Sequence, residues 1–112
     1  MRLMSYITGH WVAAAIYATA RLGIADQLRD GPRTSDDIAA AIGTHPSATY
    51  RLLRALATLE VVREAGPRTF QLTPLGELLR SDHPESMRSM ALFQGSPPHW
   101  QGWGNFTHAI RS

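Results

Sequence analysis

Two segments of helical periodicity stand side by side near the middle of the chain. The first begins at Thr34 with the sequence Thr-Ser-Asp-Asp, a hydroxyl followed three residues later by a carboxylate, and it ends at Gly43. The second begins at His45-Pro46, where proline suits the first helical position, and its leucines recur at helical spacing up to Leu59. The pattern predicts two short capped helices, the second with a well-defined apolar face.

After these helices the hydrophobic period shortens to about 2. Polar and apolar positions alternate around the turn Gly66-Pro67, at Val62, Glu64, Arg68, Phe70 and Leu72. This alternation predicts two short strands, and Thr73-Pro74 then predicts a further helix that ends near Ser81. The predicted fold is mainly α: a winged helix-turn-helix with a two-stranded β-wing and an extra N-terminal helix.

The N-terminal segment has a helical pattern that is apolar on more than one side. One face carries Met4, Ile7, Trp11, Ala14, Ala18 and Leu22, whereas Leu3, Val12 and Ile16 lie elsewhere on the wheel. The pattern continues to Leu28 and predicts one long helix. Because a small domain rarely surrounds a helix completely, we expect a second copy of the chain to cover the surplus apolar surface. The predicted dimer interface is Met4, Ile7, Trp11, Ala14, Ala15 and Ala18. The alternative is a helix buried within its own domain.

The C-terminal segment combines bulky aromatic and methionine side chains with few charges. Its apolar residues are Met87, Met90, Phe93, Trp100, Trp103 and Phe106, and the sequence Gly-Ser-Pro-Pro at 95–98 interrupts it. Such a cluster can pack as ordinary core or can line an apolar ligand site. The helical pattern runs on to Arg111 without a stop signal, so we expect the chain to be part of a longer protein.

Composition narrows the function classes. The 112 residues suit one small domain, and the absence of cysteine excludes disulfides and thiolate metal sites and is compatible with a cytoplasmic location. The sequence contains no stretch of about twenty apolar residues, so no membrane partner is expected. The N-terminal run loosely resembles a signal peptide, but Thr8, Gly9 and His10 interrupt it.

The polar residues do not form a recognisable catalytic or metal-binding set. No two of the five histidines, at 10, 45, 83, 99 and 108, are spaced four residues apart. The acidic residues stand at positions typical of helix caps and of the surface. We therefore predict no catalytic residue, no cofactor-binding residue and no metal site within the chain.

Several runs occur in an order typical of one known family. They are His10-Trp11 with Ala14, Tyr17 and Ala18, the sequence Leu-Gly-Ile-Ala-Asp at 22–26, Tyr-Arg-Leu-Leu-Arg-Ala-Leu at 50–56, Leu-Thr-Pro-Leu-Gly at 72–76, and then Trp100, Trp103 and Arg111. In this order they resemble the N-terminal dimerisation domain of S-adenosylmethionine-dependent O-methyltransferases. The resemblance covers the whole chain and is greatest to the bacterial natural-product branch, which is similar to plant caffeate and flavonoid enzymes.

The resemblance implies a role in which the winged helix does not bind DNA. In that family the first helix intertwines with that of a second subunit, and the domain helps roof the substrate pocket of a following Rossmann-like domain. It implies residues 1–85 as the dimerisation domain, 86–112 as a helical connector toward a missing catalytic domain, and a small aromatic or polyketide-like acceptor. By the same resemblance Phe93 and Gln94 line the acceptor pocket, with Trp100 and Trp103 nearby.

The catalytic parts of that family lie downstream of the matching region. The resemblance places the glycine-rich cofactor loop, the ribose-binding acid and the general-base histidine in the second domain, and no Gly-x-Gly-x-Gly sequence occurs here. We therefore expect the chain alone to be inert, with S-adenosylmethionine bound by the full-length enzyme.

Two other function classes remain open from sequence. In a winged-helix transcription regulator, Arg51 and Arg54 would face the major groove and Arg63 and Arg68 would contact phosphates, although a net charge of +2 is low for a nucleic-acid binder. The other class is a stand-alone interaction module that pairs, through its first helix, with a separately encoded methyltransferase domain.

Overall fold

The structure, a computed structural model, describes residues 2–111, apart from the side chain of Trp100. The helices are α1 (Arg2–Ile7), α2 (Gly9–Leu22), α3 (Ile24–Gln27), α4 (Ser35–Ile42), α5 (Pro46–Thr58), α6 (Arg88–Gln94), α7 (Pro97–Gly104) and α8 (Phe106–Arg111). The strands are β1 (Arg33–Thr34), β2 (Val62–Gly66) and β3 (Thr69–Leu72), and a short 3₁₀ helix spans Gly76–Leu79. The mainly α winged-helix prediction is confirmed.

Both helices of the helix-turn-helix begin where the sequence predicts. The Thr34 hydroxyl accepts a hydrogen bond from the Asp37 backbone N–H at 3.1 Å, so the N-cap of α4 is made. Gly43 has φ of 71°, a left-handed conformation that glycine adopts without a Cβ clash, and it ends the helix. Helix α5 then begins at Pro46 and directs Leu53 into the core.

The sheet has one more strand than predicted. Strands β2 and β3 form the antiparallel wing, in which Val62 pairs with Leu72 and a bulge lies between Glu64 and Gly66. Strand β1 pairs with the other edge of β3, giving the order β1-β3-β2. A strand of two residues is too short to show a period of 2, which is why the sequence pattern missed it.

The prediction of one long N-terminal helix is wrong. The chain turns at Thr8 and again at Gly23, which separates α1, α2 and α3. Gly23 adopts a left-handed φ of 70°, and its N–H donates to the Ala20 carbonyl at 3.3 Å. The Thr8 hydroxyl and N–H both donate to the Met4 carbonyl, at 2.8 and 3.0 Å, and the Trp11 N–H donates to the Thr8 carbonyl at 3.0 Å, a tighter i to i−3 bond at the junction of α1 and α2. Hydrophobic periodicity continues across both turns and conceals them.

The helix predicted after Thr73 is a 3₁₀ turn. Thr73 Oγ1 accepts from the Gly76 N–H at 3.1 Å and donates to the Glu60 carbonyl at 2.6 Å, so this residue caps the turn and ties it to the end of α5. A Cβ on Gly76 would lie 2.0 Å from the Val61 carbonyl oxygen, so the turn packs directly on backbone. This close contact leaves no room for a side chain at the start of the turn.

The core lies between the sheet and helices α2 to α5. Its largest fully buried side chains are Phe70, Ile24, Ile38, Leu53, Leu56 and Val62. Helix α6 packs on α2, outside this centre, and α7 and α8 follow it. The packing of α6 on α2 therefore brings the N-terminal and C-terminal helical segments together.

Candidate functional site

The N-terminal helices present large apolar side chains to solvent. Met4 is 54% exposed, Ile7 59% and Trp11 47%. Leu3 and Tyr6 are each 66% exposed on the same short helix. A single exposed apolar side chain is normal, but a contiguous group of this size marks an interaction surface.

The alanines of the predicted interface divide between surface and core. Ala14 is exposed on α2 and Ala18 is partly buried. Ala15 is the exception to the surface prediction, because it is only 8% exposed and packs in the core cluster of its own chain. Helix α2 therefore has two apolar sides. One packs in the core of its own chain, and the other faces outward.

Helices α6 to α8 carry a second exposed apolar group. Its members are Met87, Met90, Phe93, Trp103, Phe106 and Ile110, each between 49% and 69% exposed. The alternative that this aromatic segment forms ordinary core does not hold for Phe93 and Trp103, which are 61% and 59% exposed. These side chains lie on the surface of the described chain.

A cavity of about 190 Å³ lies where α2 meets α6 and α7. Its lining residues are His10, Ala13, Ala14, Gln94, Gly95 and Trp103. The structure thus brings together Gln94 and Trp103, two of the predicted pocket residues, with Ala14 of the predicted dimer face. Phe93 is not among the lining residues, and the side chain of Trp100 lies outside the described part of the chain. The lining is mostly apolar, with one imidazole and one amide to orient a ligand.

Close contacts between α6 and α2 hold the walls of this cavity in place. A Cβ on Gly95 would lie 2.4 Å from the Tyr17 Cβ, so the end of α6 approaches α2 as closely as a glycine permits. Arg88 Nε donates to the Ala20 carbonyl at 3.1 Å and satisfies a carbonyl at the end of α2. The cavity is therefore supported at both ends of α6.

Two of the predicted pocket residues, Phe93 and Trp103, belong to a row of rings. The Phe93 and His99 ring centroids are 5.2 Å apart, and the His99 and Trp103 centroids are 6.3 Å apart. Phe106 lies edge-on to Trp103 at 5.3 Å. Such tilted and edge-to-face pairs are favourable arrangements, and they order side chains that would otherwise be free in solvent.

Three of the four arginines that a DNA-binding winged helix would use have partners within the protein. Arg68 lies over the Tyr50 ring, 4.2 Å from its centroid, and its Nη2 is 3.4 Å from the Asp36 carboxylate. Arg54 donates to the Tyr50 hydroxyl at 3.1 Å and lies 3.7 Å from Glu64. These acids reduce the positive potential of the face that would meet a phosphate backbone.

Arg63 and Arg51 complete that face. The Arg63 guanidinium lies beside the Gln71 amide, whose oxygen accepts from it in the orientation that satisfies both groups. Arg51 is exposed on α5. All four arginines are exposed, but three of them already have partners within the protein, which is a weak basis for nucleic-acid binding.

A polar latch joins α3 to the segment that follows the 3₁₀ helix. The Asp26 carboxylate accepts from the Ser81 N–H at 2.9 Å and from its hydroxyl at 2.8 Å. Partial burial raises the pKa of Asp26, but the two Ser81 hydrogen bonds and the nearby Arg29 outweigh it and leave that pKa below its ordinary value. Hydrogen bonds from Arg80 likewise lower the pKa of Asp82. The latch is structural, since it lies away from the cavity.

The described residues do not form a binding site for S-adenosylmethionine, the cofactor of the family that the sequence resembles. Their sheet is antiparallel, whereas that cofactor needs a glycine-rich turn between a strand and a helix. Within residues 2–111, no group of three or more histidines and acids is placed to hold a metal ion. No helix in this described range is long and apolar enough to cross a membrane.

Four lining or neighbouring residues are not among the predicted site residues. Ala13 and Gly95 carry no chemical signal, and only the packing of α6 on α2 brings them to the cavity. His10 lines the cavity as well, and its place in the sequence does not indicate a pocket. His99 is the fourth, and its spacing of four residues from Trp103 is a signal that the two side chains can meet on one helix face.

Comparison with known proteins identifies the domain. A model of the O-methyltransferase dimerisation domain matches residues 4–82. The chain is 44% identical over 111 residues to 8-amino-8-demethylriboflavin N,N-dimethyltransferase of Streptomyces davaonensis, covering 99% of the chain and 32% of that protein. It is 37% identical over 110 residues to a phenazine O-methyltransferase of Lysobacter antibioticus, covering 98% of the chain and 32% of that protein.

Solved structures agree with this assignment. The crystal structure of N,N-8-amino-8-demethyl-D-riboflavin dimethyltransferase from Streptomyces davawensis superposes with a TM-score of 0.91 at 44% identity, over 99% of the chain and 33% of that structure. A methyltransferase in calicheamicin biosynthesis, solved in its SAH-bound form, gives 0.79 at 43% identity, over 88% and 29%. The chain spans about a third of the length of the curated relatives it matches. It belongs to the O-methyltransferase dimerisation domain family.

Proposed function

We propose that this chain is the dimerisation and pocket-roof part of a methyltransferase that uses S-adenosylmethionine. The proposal includes a homodimer formed through α1 and α2, with the exposed residues Met4, Ile7, Trp11 and Ala14 in the interface and Ala18 at its edge. A cytoplasmic location is part of the proposal, since the sequence has no cysteine.

The observation that carries the proposal is the exposed apolar surface at the two adjacent ends of the chain. Exposed tryptophan, phenylalanine, isoleucine and methionine side chains are costly in water, at about 25 cal/mol for each Å² of apolar surface. Two-fold pairing of α1 and α2 would bury one group, and a following domain would bury the other on α6 to α8.

The acceptor proposed for the longer enzyme is a small, flat aromatic molecule. The cavity beside Trp103 offers an aromatic wall, apolar methyl groups and two polar side chains, which suit a planar ring with one or two polar substituents. The substrates for which two relatives are named, an 8-amino-8-demethylriboflavin and a phenazine, support this substrate class. Gln94 and Trp103 are the proposed contacts, with Phe93 and Trp100 retained as neighbours.

Methyl transfer itself is assigned to parts outside the described residues. The cofactor, when bound, supplies the electrophilic methyl group, and the SAH-bound relative supports its use in this family. The described chain contributes the pairing surface and one wall of the acceptor site. Removal of the acceptor proton is assigned to the following domain, as the family resemblance implies.

The test is a transfer assay on the complete product of the reading frame that encodes this chain. Methyl-labelled S-adenosylmethionine is offered with a panel of hydroxylated and aminated flat aromatics, and the isolated 112-residue chain is the matched control. We expect labelled product only with the complete protein. An immediate stop codon after Ser112, with transfer restored by adding a separate catalytic chain, would instead establish a stand-alone interaction module.

A further inference from the structure

The His99 imidazole accepts a hydrogen bond from the residue one helical turn further along α7. Trp103 Nε1 lies 3.0 Å from His99 Nε2. An indole N–H can only donate, so the imidazole nitrogen that faces it must be the acceptor. The neutral His99 ring therefore carries its proton on Nδ1.

This hydrogen bond holds a side chain that packing alone leaves free. Trp103 is 59% exposed, so no core surrounds its ring. The hydrogen bond and the edge-on ring contact with Phe106 together favour one indole orientation over the others by about tenfold.

His99 is placed to set that orientation without touching the cavity. It is not among the residues that line the space between α2 and α6, whereas Trp103 is. The His99 ring also lies beside Phe93, at a centroid distance of 5.2 Å and an interplanar angle of 51°. Phe93 thus supports His99, and His99 supports Trp103.

We propose that His99 is a positioning residue, which fixes the Trp103 indole as a wall of the cavity between α2, α6 and α7. The effect on an acceptor rests on the proposed function, whereas the effect on Trp103 does not. His99 acts through Trp103, so its removal changes how well a flat ring is held rather than how fast a methyl group moves.

The first test uses NMR of the ¹⁵N-labelled chain to measure the chemical shift and the solvent-exchange rate of the Trp103 indole N–H proton. Its cross-peak is identified as the one that Trp103→Phe removes. His99→Gln keeps an acceptor near the Nε2 position, whereas His99→Phe keeps a ring against Phe93 and removes the acceptor. The control His108→Phe makes the same exchange on α8.

We expect a downfield, slowly exchanging indole proton in the wild-type chain, in His99→Gln and in His108→Phe. In His99→Phe the proton should move upfield and exchange faster, and nuclear Overhauser contacts from the indole to the Ala13 and Ala14 methyl groups should weaken. An unchanged indole signal and unchanged contacts in His99→Phe would overturn the proposal. Dispersed backbone amide signals establish that each variant is folded.

The second test uses the complete enzyme with whichever panel acceptor is methylated. His99→Phe should raise the acceptor KM by about three- to tenfold and change kcat less than twofold, and His99→Gln should restore most of the loss. An unchanged KM would remove the functional part of the inference. Absence of methyl transfer in the wild-type protein would instead contradict the proposed function and leave the NMR result to decide the role of His99.

Discussion

At the scale of single residues, Gly95 determines how closely α6 approaches α2. A methyl group added at this position would coincide with the base of the Tyr17 side chain, which cannot rotate away as a side-chain tip can. The cavity and the ring row both depend on this approach, because α7 follows directly from the turn at Gly95. Sequence alone marked Gly95 as a helix breaker but could not show what it touches.

We predict that Gly95→Ala destabilises the chain by about 1–3 kcal/mol, because α6 must move away from Tyr17. The matched control is Gly102→Ala within α7, where nothing lies within 4 Å of the added methyl group. That exchange should be neutral or stabilise by up to about 1 kcal/mol. Urea unfolding followed by circular dichroism measures both; equal effects at the two positions would contradict the packing argument.

At the scale of the elements, chemical signals predicted the helix-turn-helix well. Thr34, Gly43 and Pro46 act locally as caps and stops, so their effects are visible in sequence. Strand β1 depends on pairing with Phe70, and the 3₁₀ turn depends on the contact of Gly76 with the Val61 carbonyl. Because these partners are distant in sequence, the local pattern does not predict either element. The cavity depends on the packing of α6 on α2, which periodicity does not encode.

The latch between α3 and the segment after the 3₁₀ helix gives the second prediction. Because the folded state lowers the pKa of Asp26 below its ordinary value of 3.8, its ionised form stabilises the fold above that pH. This contribution is lost as the pH falls below about 3.8 through the lowered value. Asp26→Asn should therefore lower the urea midpoint at pH 7 and approach the wild-type midpoint at pH 3.

The control for the latch is Asp30→Asn, which removes a charge from an exposed residue of the adjoining turn. At pH 7 its urea midpoint should differ from that of the wild type by less than the midpoint of Asp26→Asn does. A constant difference between Asp26→Asn and wild type from pH 7 to pH 3 would show that the carboxylate charge is not what Ser81 binds.

The wing and α5 give the third prediction. Arg68 bridges Asp36 and the Tyr50 ring, so Arg68→Ala should destabilise the chain, by about 0.5–1.5 kcal/mol. Exposed Arg51 should contribute little, and Arg51→Ala is the matched control. Unfolding midpoints in urea test this difference, and a larger loss in Arg51→Ala would contradict it.

The same arginines should not support specific DNA binding. Any retention of a duplex of about 20 base pairs at low salt should disappear by about 150 mM salt, because it would rest on phosphate contacts alone. Fluorescence anisotropy with two unrelated duplexes tests this. Sequence-selective binding that persists at 150 mM salt would favour a regulator instead.

At the scale of the whole molecule, apolar side chains are exposed on the N-terminal and C-terminal helices, whereas the core lies between the sheet and helices α2 to α5. Ala15 and Ile24 fill the core side of the N-terminal helices, while Met4, Ile7 and Trp11 face outward. A small domain with this distribution has more apolar surface than its own fold can cover. The proposed function therefore depends on pairing through α1 and α2.

Sedimentation equilibrium of the 112-residue chain measures this pairing, with Ile7→Glu as the variant and Ala40→Glu, at an exposed position on α4, as the matched control. We expect twice the chain mass of 12.4 kDa for the wild type and the control at micromolar concentration. Ile7→Glu should give the single-chain mass, because a buried unpaired carboxylate opposes association. A wild-type mass of 12.4 kDa, unchanged by Ile7→Glu, would show that α1 and α2 do not pair.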